Sequence, residues 1–207
     1  MSEEYWAAVL TVRLGMADLL DSLSPADWDV PSLCAGWRVR DVAAHVAMVP
    51  TITTGQMIKA APRAGFNPNK INTLMARRAG SVSPAQITAT LRNHAADRTT
   101  AKVLDTRNAL FDAVVHSQDI ALPLGIDFPV SAEHARAGLE RVWAMGWPFQ
   151  ARRRLAGYTL TATDTEWTVG TGPRIEGTAL ALLLLLTGRT STAIGVLRGP
   201  GLDLLRV

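Results

Sequence analysis

The segment Phe111-Asp112-Ala113-Val114-Val115-His116-Ser117-Gln118-Asp119 decides the fold, because it predicts a helix that is buried and yet carries charged groups. Asp112, His116 and Asp119 are the only ionisable residues between Arg107 and Asp127, and their neighbours are mostly apolar. Asp112 and His116 lie four residues apart, so their side chains stack on one face of a helix. A buried carboxylate needs a cation or hydrogen-bond donors, and the cation could be a metal ion.

A second predicted helix supplies a third candidate ligand. Val42, His45 and Val49 lie on one stripe of this helix, which is expected to face the interior. Inward-pointing helical side chains build metal sites in helical bundles, so we predict that His45, Asp112 and His116 bind one divalent metal. Two imidazoles and a carboxylate favour Zn²⁺, with Ni²⁺, Fe²⁺ and Mn²⁺ as competitors, and three protein ligands leave one coordination position open.

The residues alone leave a second interpretation of the same pattern. Asp112 and His116 can hydrogen-bond each other without a metal, and His45 can be an ordinary core residue. Asp119 is predicted to orient His116 or to cap a neighbouring helix, and it is a weaker candidate ligand. Cys34, between Leu33 and Ala35, is interpreted as a buried and unreactive thiol.

Outside these two helices, apolar residues recur at the three- and four-residue steps of a helix over most of the first 150 residues. Beyond Gly157, threonines alternate with apolar residues, which predicts a short β-hairpin turning near Asp164. We therefore predict an α+β protein, with a helical bundle over residues 1–150 and a small α/β domain over residues 151–207.

The amino-acid composition limits the kinds of molecule and the cellular compartment that are expected for this protein. The net charge is +3 in 207 residues, and the basic residues are scattered, so nucleic acid is not an expected partner. A single cysteine rules out an internal disulfide and suits the cytoplasm. The start of the chain lacks a signal-peptide pattern, and the apolar run from Ala179 to Leu186 is far shorter than the roughly 20 residues that span a bilayer. No membrane association is expected.

Three stretches of the chain share a pattern with one known family. The first is Leu23 to Trp28 together with Pro31 to Ala47, the run that contains His45. The second is Phe111 to Ala121 followed by Leu124-Gly125, and the third is Trp167 to Pro173 with Gly177 and Leu186 to Arg189. Together they resemble the mycothiol-dependent maleylpyruvate isomerase family, a branch of the DinB-like four-helix bundles, and they cover most of the chain.

This resemblance implies a zinc-type site at His45, Asp112 and His116, with the thiol mycothiol as cosubstrate. A metal at an open site lowers the pKa of a bound thiol and so generates the attacking thiolate. The resemblance also implies that Arg189 is a catalytic residue, presented toward the site to bind a substrate carboxylate. As an alternative, Arg189 closes the Thr187-Gly188 turn at a helix end. The family's isomerase has glutamate at the position of Asp112, which leaves equivalence of activity open.

The leading hypothesis is therefore a metal-dependent, mycothiol-using isomerase or S-transferase that acts on a small molecule. The alternative is a non-catalytic protein that binds a small ligand and has a structural metal or none. A third hypothesis is a family member that keeps the fold and has lost the metal. The residues do not identify the substrate or the oligomeric state.

Overall fold

The computed structural model describes residues 1–205 and divides the chain into two compact units, Met1–Phe128 and Pro129–Val207. The first unit is helical. Its helices are α1 (Glu3–Ser22), α2 (Val39–Met48), α3 (Thr54–Ala60), α4 (Pro68–Ala79), α5 (Pro84–Asn93) and α6 (Ala109–Ala121). No helix of the described chain is long and apolar enough to cross a membrane.

Four of these helices form a bundle. Helices α1 and α2 each pack against both α5 and α6, and α4 packs on α2 from outside this group. The sequence explains the helix starts: Ser83 caps α5 with Pro84 at its first position, and Asn67 caps α4 with Pro68 at its first position. Helix α6 is buried along most of its length, as its apolar sequence predicts. The two helices that carry the candidate ligands, α2 and α6, are therefore both members of this bundle.

The second unit combines helices with a small sheet. It contains α7 (Ala132–Ala144), α8 (Ala151–Arg154), β1 (Thr159–Ala162), β2 (Thr168–Gly170), β3 (Arg174–Gly177), α9 (Ala179–Leu186) and α10 (Thr190–Ile194). Strand β1 pairs antiparallel with β2, as the predicted hairpin requires, and parallel with β3, which gives the order β2-β1-β3. Gly172 has a φ of 126°, and a Cβ there would collide with the carbonyl oxygen of Gly157.

The division between the units lies earlier than the boundary near residue 150 that the sequence predicts. Helix α7 follows the break after Phe128 and packs on α9, so it belongs to the second unit. The helical period of α7 shows that it has an apolar face but not which partner covers that face. The fold class is nevertheless as predicted: a four-helix bundle followed by a small α/β unit.

Candidate metal centre

Helix α2 carries His45, and a capping hydrogen bond fixes the first turn of this helix. Asp41 accepts a hydrogen bond on Oδ2 from the backbone N–H of Arg38, at 3.0 Å, and so caps the first turn of the helix. His45 follows one turn later and is buried in the bundle. The rings of Trp37 and His45 meet edge to face, with centroids 5.5 Å apart. Packing on this side limits rotation of the His45 ring.

Helix α6 is anchored just before its candidate ligands. The hydroxyl of Tyr5 on α1 accepts a hydrogen bond from the backbone N–H of Leu110, at 3.2 Å, and donates one to the carbonyl of Thr106, at 3.1 Å. It thus satisfies one of the free N–H groups in the first turn of α6. Asp112 lies in the same turn, so this contact helps to fix its position.

Asp112 brings the two imidazoles together. Its Oδ1 atom lies 3.6 Å from Nε2 of His45 and 3.5 Å from Nε2 of His116. The two rings meet edge to face, with centroids 4.9 Å apart. One ligand atom from each of the three residues lies within 4.8 Å of the other two. The three side chains predicted from the sequence therefore form one cluster between α2 and α6.

The separations in this cluster fit a shared metal ion better than direct hydrogen bonds. Good N–H···O hydrogen bonds are about 2.9 Å long, and both Oδ1–Nε2 separations are clearly longer. Ligand atoms at bond lengths of about 2.0–2.1 Å on a tetrahedral ion lie about 3.4 Å apart. The donor set of two imidazoles and one carboxylate, on two rigid helices, is thus suited to a divalent cation.

The electrostatics of the cluster favour charged forms. Burial opposes ionisation of Asp112, but the imidazoles of His116 and His45 outweigh burial and hold its pKa well below the ordinary value. Burial likewise opposes protonation of His116, whereas the negative charge of Asp112, together with Asp119 and Cys34 beside the ring, raises the pKa of His116 well above its usual value. Each group thus favours the charged form of the other, which is the arrangement that a bound cation would also stabilise.

Asp119 occupies the position predicted for a residue that orients His116. Its Oδ2 lies 2.8 Å from Nδ1 of His116, and its side chain is completely buried. A carboxylate that accepts a hydrogen bond from Nδ1–H leaves the lone pair of Nε2 directed at the cluster. Asp119 also anchors the loop before α2, because its backbone carbonyl accepts a hydrogen bond from the N–H of Leu33.

The placement of Cys34 differs from the prediction of a buried, unreactive thiol in an apolar setting. Its side chain is only partly buried, and Sγ lies 3.0 Å from Oδ2 of Asp119 and 3.8 Å from Nδ1 of His116. Cys34, His116 and Asp119 are a second group of potential ligand atoms within 4.8 Å of one another. One feature of the sequence could have indicated this placement: Cys34 belongs to the same family-like run, Pro31 to Ala47, as His45.

Arg189 lies in the second unit, directly before α10. Its Nη1 donates a hydrogen bond to the carbonyl of Thr187, at 2.8 Å, across the turn that contains Gly188. This contact is the one expected of an arginine that closes a helix-end turn. Binding of a substrate carboxylate by Arg189 stays a prediction.

The fold and the histidine–carboxylate cluster define a class: a four-helix bundle with a candidate metal centre between two of its helices, followed by a small α/β unit. Residues 11–106 match the family model described as the mycothiol maleylpyruvate isomerase N-terminal domain. A crystal structure of the mycothiol-dependent maleylpyruvate isomerase has a similar fold, with a TM-score of 0.59, 14% identity, and coverage of 99% of this chain and 94% of that one. A histidine-to-alanine mutant of that isomerase matches with the same values. None of the curated proteins matches this sequence.

Residues 11–106 thus match the N-terminal domain model of that family, and the fold of nearly the whole chain is similar to that of the isomerase. The resemblance seen in the sequence is thereby confirmed. At 14% identity the structural similarity establishes the fold, and the activity has to be argued from the residues of this chain.

Proposed function

We propose that this protein is a metal-dependent, mycothiol-using isomerase or S-transferase that acts on a small electrophilic substrate in the cytoplasm. The observation that carries the proposal is the position of Asp112 Oδ1, 3.5 and 3.6 Å from the Nε2 atoms of two histidines. His45, Asp112 and His116 would hold the ion, and zinc suits this donor set best. When bound, such an ion supplies Lewis acidity, which lowers the pKa of a thiol at the open position.

The residues of the chain contribute orientation and proton control. Asp119 holds His116 so that Nε2 points into the cluster, and Trp37 packs against His45. An isomerase for a maleyl compound needs a nucleophile that adds to the conjugated double bond, permits rotation about the resulting single bond and then leaves. A thiolate can do all three and is regenerated when it leaves, whereas in an S-transferase the sulfur–carbon bond is retained. Arg189 is proposed to bind a substrate carboxylate, on the strength of the family resemblance.

The direct test is turnover by the zinc-reconstituted protein. We expect loss of maleylpyruvate, or conjugation of a model electrophile such as a bimane, only when mycothiol and the metal are both present. Omission of mycothiol and the His116→Ala variant are the controls. If neither substrate reacts in a thiol-dependent manner, the proposal of an enzyme fails. A protein that contains the metal but shows no turnover would then favour the alternative function, a protein that binds a small ligand.

Metal affinity is expected to rise with pH. The pKa of His116 is raised in the metal-free cluster, so at neutral pH a metal must displace a proton from this ring. Below that raised pKa, each unit of pH should increase the apparent affinity by about tenfold, and above it the dependence should level off. Competition titrations with a chelating dye from pH 6 to pH 9 would measure the slope. A flat profile across this range would show that no proton is displaced.

A further inference from the structure

The turn between α3 and α4 carries the two most exposed large apolar side chains of the described chain, Ile58 at 66% and Phe66 at 75%. We call residues 58–70 the α3–α4 tip. The N–H of Ala61 donates a hydrogen bond to the carbonyl of Ile58, at 3.3 Å, and the N–H of Phe66 donates one to the carbonyl of Ala61, at 2.9 Å. A single exposed apolar residue is ordinary on a protein surface, but these two belong to one compact turn.

The backbone of Phe66 is in the left-handed region, with a φ of 58°, directly after Gly65 at 59°. This region is unfavourable for a bulky residue, whereas glycine and asparagine adopt it readily. An exposed aromatic ring gains little from packing, so the fold gives no reason for phenylalanine at this position. Unfavourable backbone at an exposed side chain indicates that the side chain serves an external contact.

The α3–α4 tip also carries exposed cations: Lys59, Arg63 and Lys70. None of them forms an ion pair with a carboxylate of the part of the chain that the structure describes. Elsewhere in the same unit, exposed arginines do have carboxylate partners; they are Arg38, Arg92, Arg98 and Arg107. The positive charge of the tip is therefore not neutralised locally.

The sequence around the tip strengthens this charge. Between Asp41 and Asp97 there is no aspartate or glutamate, although the chain has 18 acidic residues. Residues 54–79, from α3 to α4, contain five basic residues, whereas the whole chain has a net charge of only +3, so the rest of the chain is slightly acidic. This region attracts an anionic partner, and a second copy of the tip would bring like charges together.

The apolar side chains decide between anionic partners. A nucleic acid or an acidic protein could pair with the cations, but an acidic protein would also need a pocket shaped for Phe66. A bilayer with anionic lipids offers negative headgroups and an apolar interior at the same surface, and it needs no complementary shape. Lysine and arginine can reach headgroups while their methylene stems lie along apolar surface.

We propose that the α3–α4 tip is a docking surface for membranes that contain anionic lipids. Ile58 and Phe66 insert among the lipids, while Lys59, Arg63 and Lys70 bind headgroups. The sequence led us to expect no membrane association because no segment could span a bilayer, and attachment at the surface needs no such segment. The inference is independent of the proposed metal centre and catalysis.

The test is binding of the full chain to vesicles, measured by co-sedimentation. One set of vesicles is phosphatidylcholine alone, and the other is equal parts phosphatidylcholine and phosphatidylserine. We expect binding to the second set only, and weaker binding as salt is added, because ions screen the attraction. Phe66→Asn should weaken binding about tenfold through the lost apolar contact, and Arg63→Gln about fivefold through the lost charge. Asparagine suits the left-handed backbone, so Phe66→Asn should unfold at the same temperature as wild type or higher.

Val103→Asn and Arg107→Gln are the matched controls. Val103 is 63% exposed and Arg107 is paired with Asp105, and both lie in the same unit outside the tip. Each variant should bind anionic vesicles as tightly as the wild type does, which would show that the position of the side chain matters.

Three outcomes would overturn the inference. One is no binding of the wild type to anionic vesicles. Another is equal weakening by Arg63→Gln and Arg107→Gln with no effect of Phe66→Asn, which would show attraction by overall charge alone. The third is binding to polyglutamate or single-stranded RNA under conditions where vesicles are not bound, which would assign the tip to another anionic partner. In each case the proposed function stands, because its tests do not involve lipid.

Discussion

Replacing His45 or His116 with alanine is expected to abolish stoichiometric metal binding, whereas tag-free wild-type protein should contain close to one equivalent. Each substitution removes one of only three protein ligands and leaves Asp112 with a single imidazole. The loss of affinity should therefore exceed the roughly 10–100-fold that removal of an outer partner of a ligand usually causes. Elemental mass spectrometry after reconstitution and desalting would measure the metal content directly.

His94→Ala is the matched control for these variants. His94 belongs to the same unit but pairs with Asp97 at the surface and lies outside both groups of potential ligands. It should retain a full equivalent of metal. Thermal unfolding adds a second readout, because free metal at 100 times its Kd stabilises a folded protein by about 2.7 kcal/mol. The wild type and His94→Ala should gain this stability, and a full equivalent of metal in His116→Ala would refute the proposed ligand set.

Replacing Asp119 with alanine is expected to lower metal affinity by about 10–100-fold without removing any ligand. Asp119 is completely buried, and its Oδ2 lies within hydrogen-bond distance of both Nδ1 of His116 and Sγ of Cys34. Without it, the ring of His116 can rotate and its proton is no longer held on Nδ1, so Nε2 is less often available to a metal. Chelator competition at a fixed pH would measure the change.

Two further variants separate orientation from charge at Asp119. Asp119→Asn keeps an oxygen that can accept a hydrogen bond from Nδ1–H of His116. This variant should therefore retain a higher metal affinity than Asp119→Ala. Cys34→Ser keeps a donor for Asp119 and should have little effect. The surface control is Asp27→Asn, because Asp27 caps the turn at Ser24 and lies outside both groups of potential ligands in the described part of the chain. If Asp119→Ala bound metal as tightly as the wild type, Asp119 would not orient a ligand.

Much of the candidate site could be predicted because the positions of its residues follow from their spacing within single helices. The four-residue spacing of Asp112 and His116 fixes their shared helix face, and the apolar period around His45 directs that residue inward. Asp119 lies one turn beyond His116, and the structure places its carboxylate 2.8 Å from the imidazole. Spacing along a helix is a short-range property, so it survives in the folded protein.

Other features depend on contacts between distant parts of the chain. Cys34 and Asp119 are 85 residues apart, and Arg13 and Ala95 are 82 residues apart. Cys34 and Arg13 each lie between two apolar residues in the sequence, so the local pattern predicts an inert core thiol for Cys34 and gives no signal for Arg13. The parallel pairing of β3 with β1 and the packing of α7 on α9 are likewise long-range contacts.

The sequence by itself determined the helix-rich class of the fold, the resemblance to one family and the three residues that meet at the candidate metal centre. Local periodicity, capping residues and extended motifs carry that information without reference to the rest of the chain. Only the tertiary structure decided that the first unit ends at Phe128, that Cys34 lies beside His116, and that the buried Arg13 donates hydrogen bonds to the carbonyls of Ala95 and Asp97. The physical reason is that burial and long-range electrostatics depend on which helix faces meet, and a single helix pattern does not specify its partner.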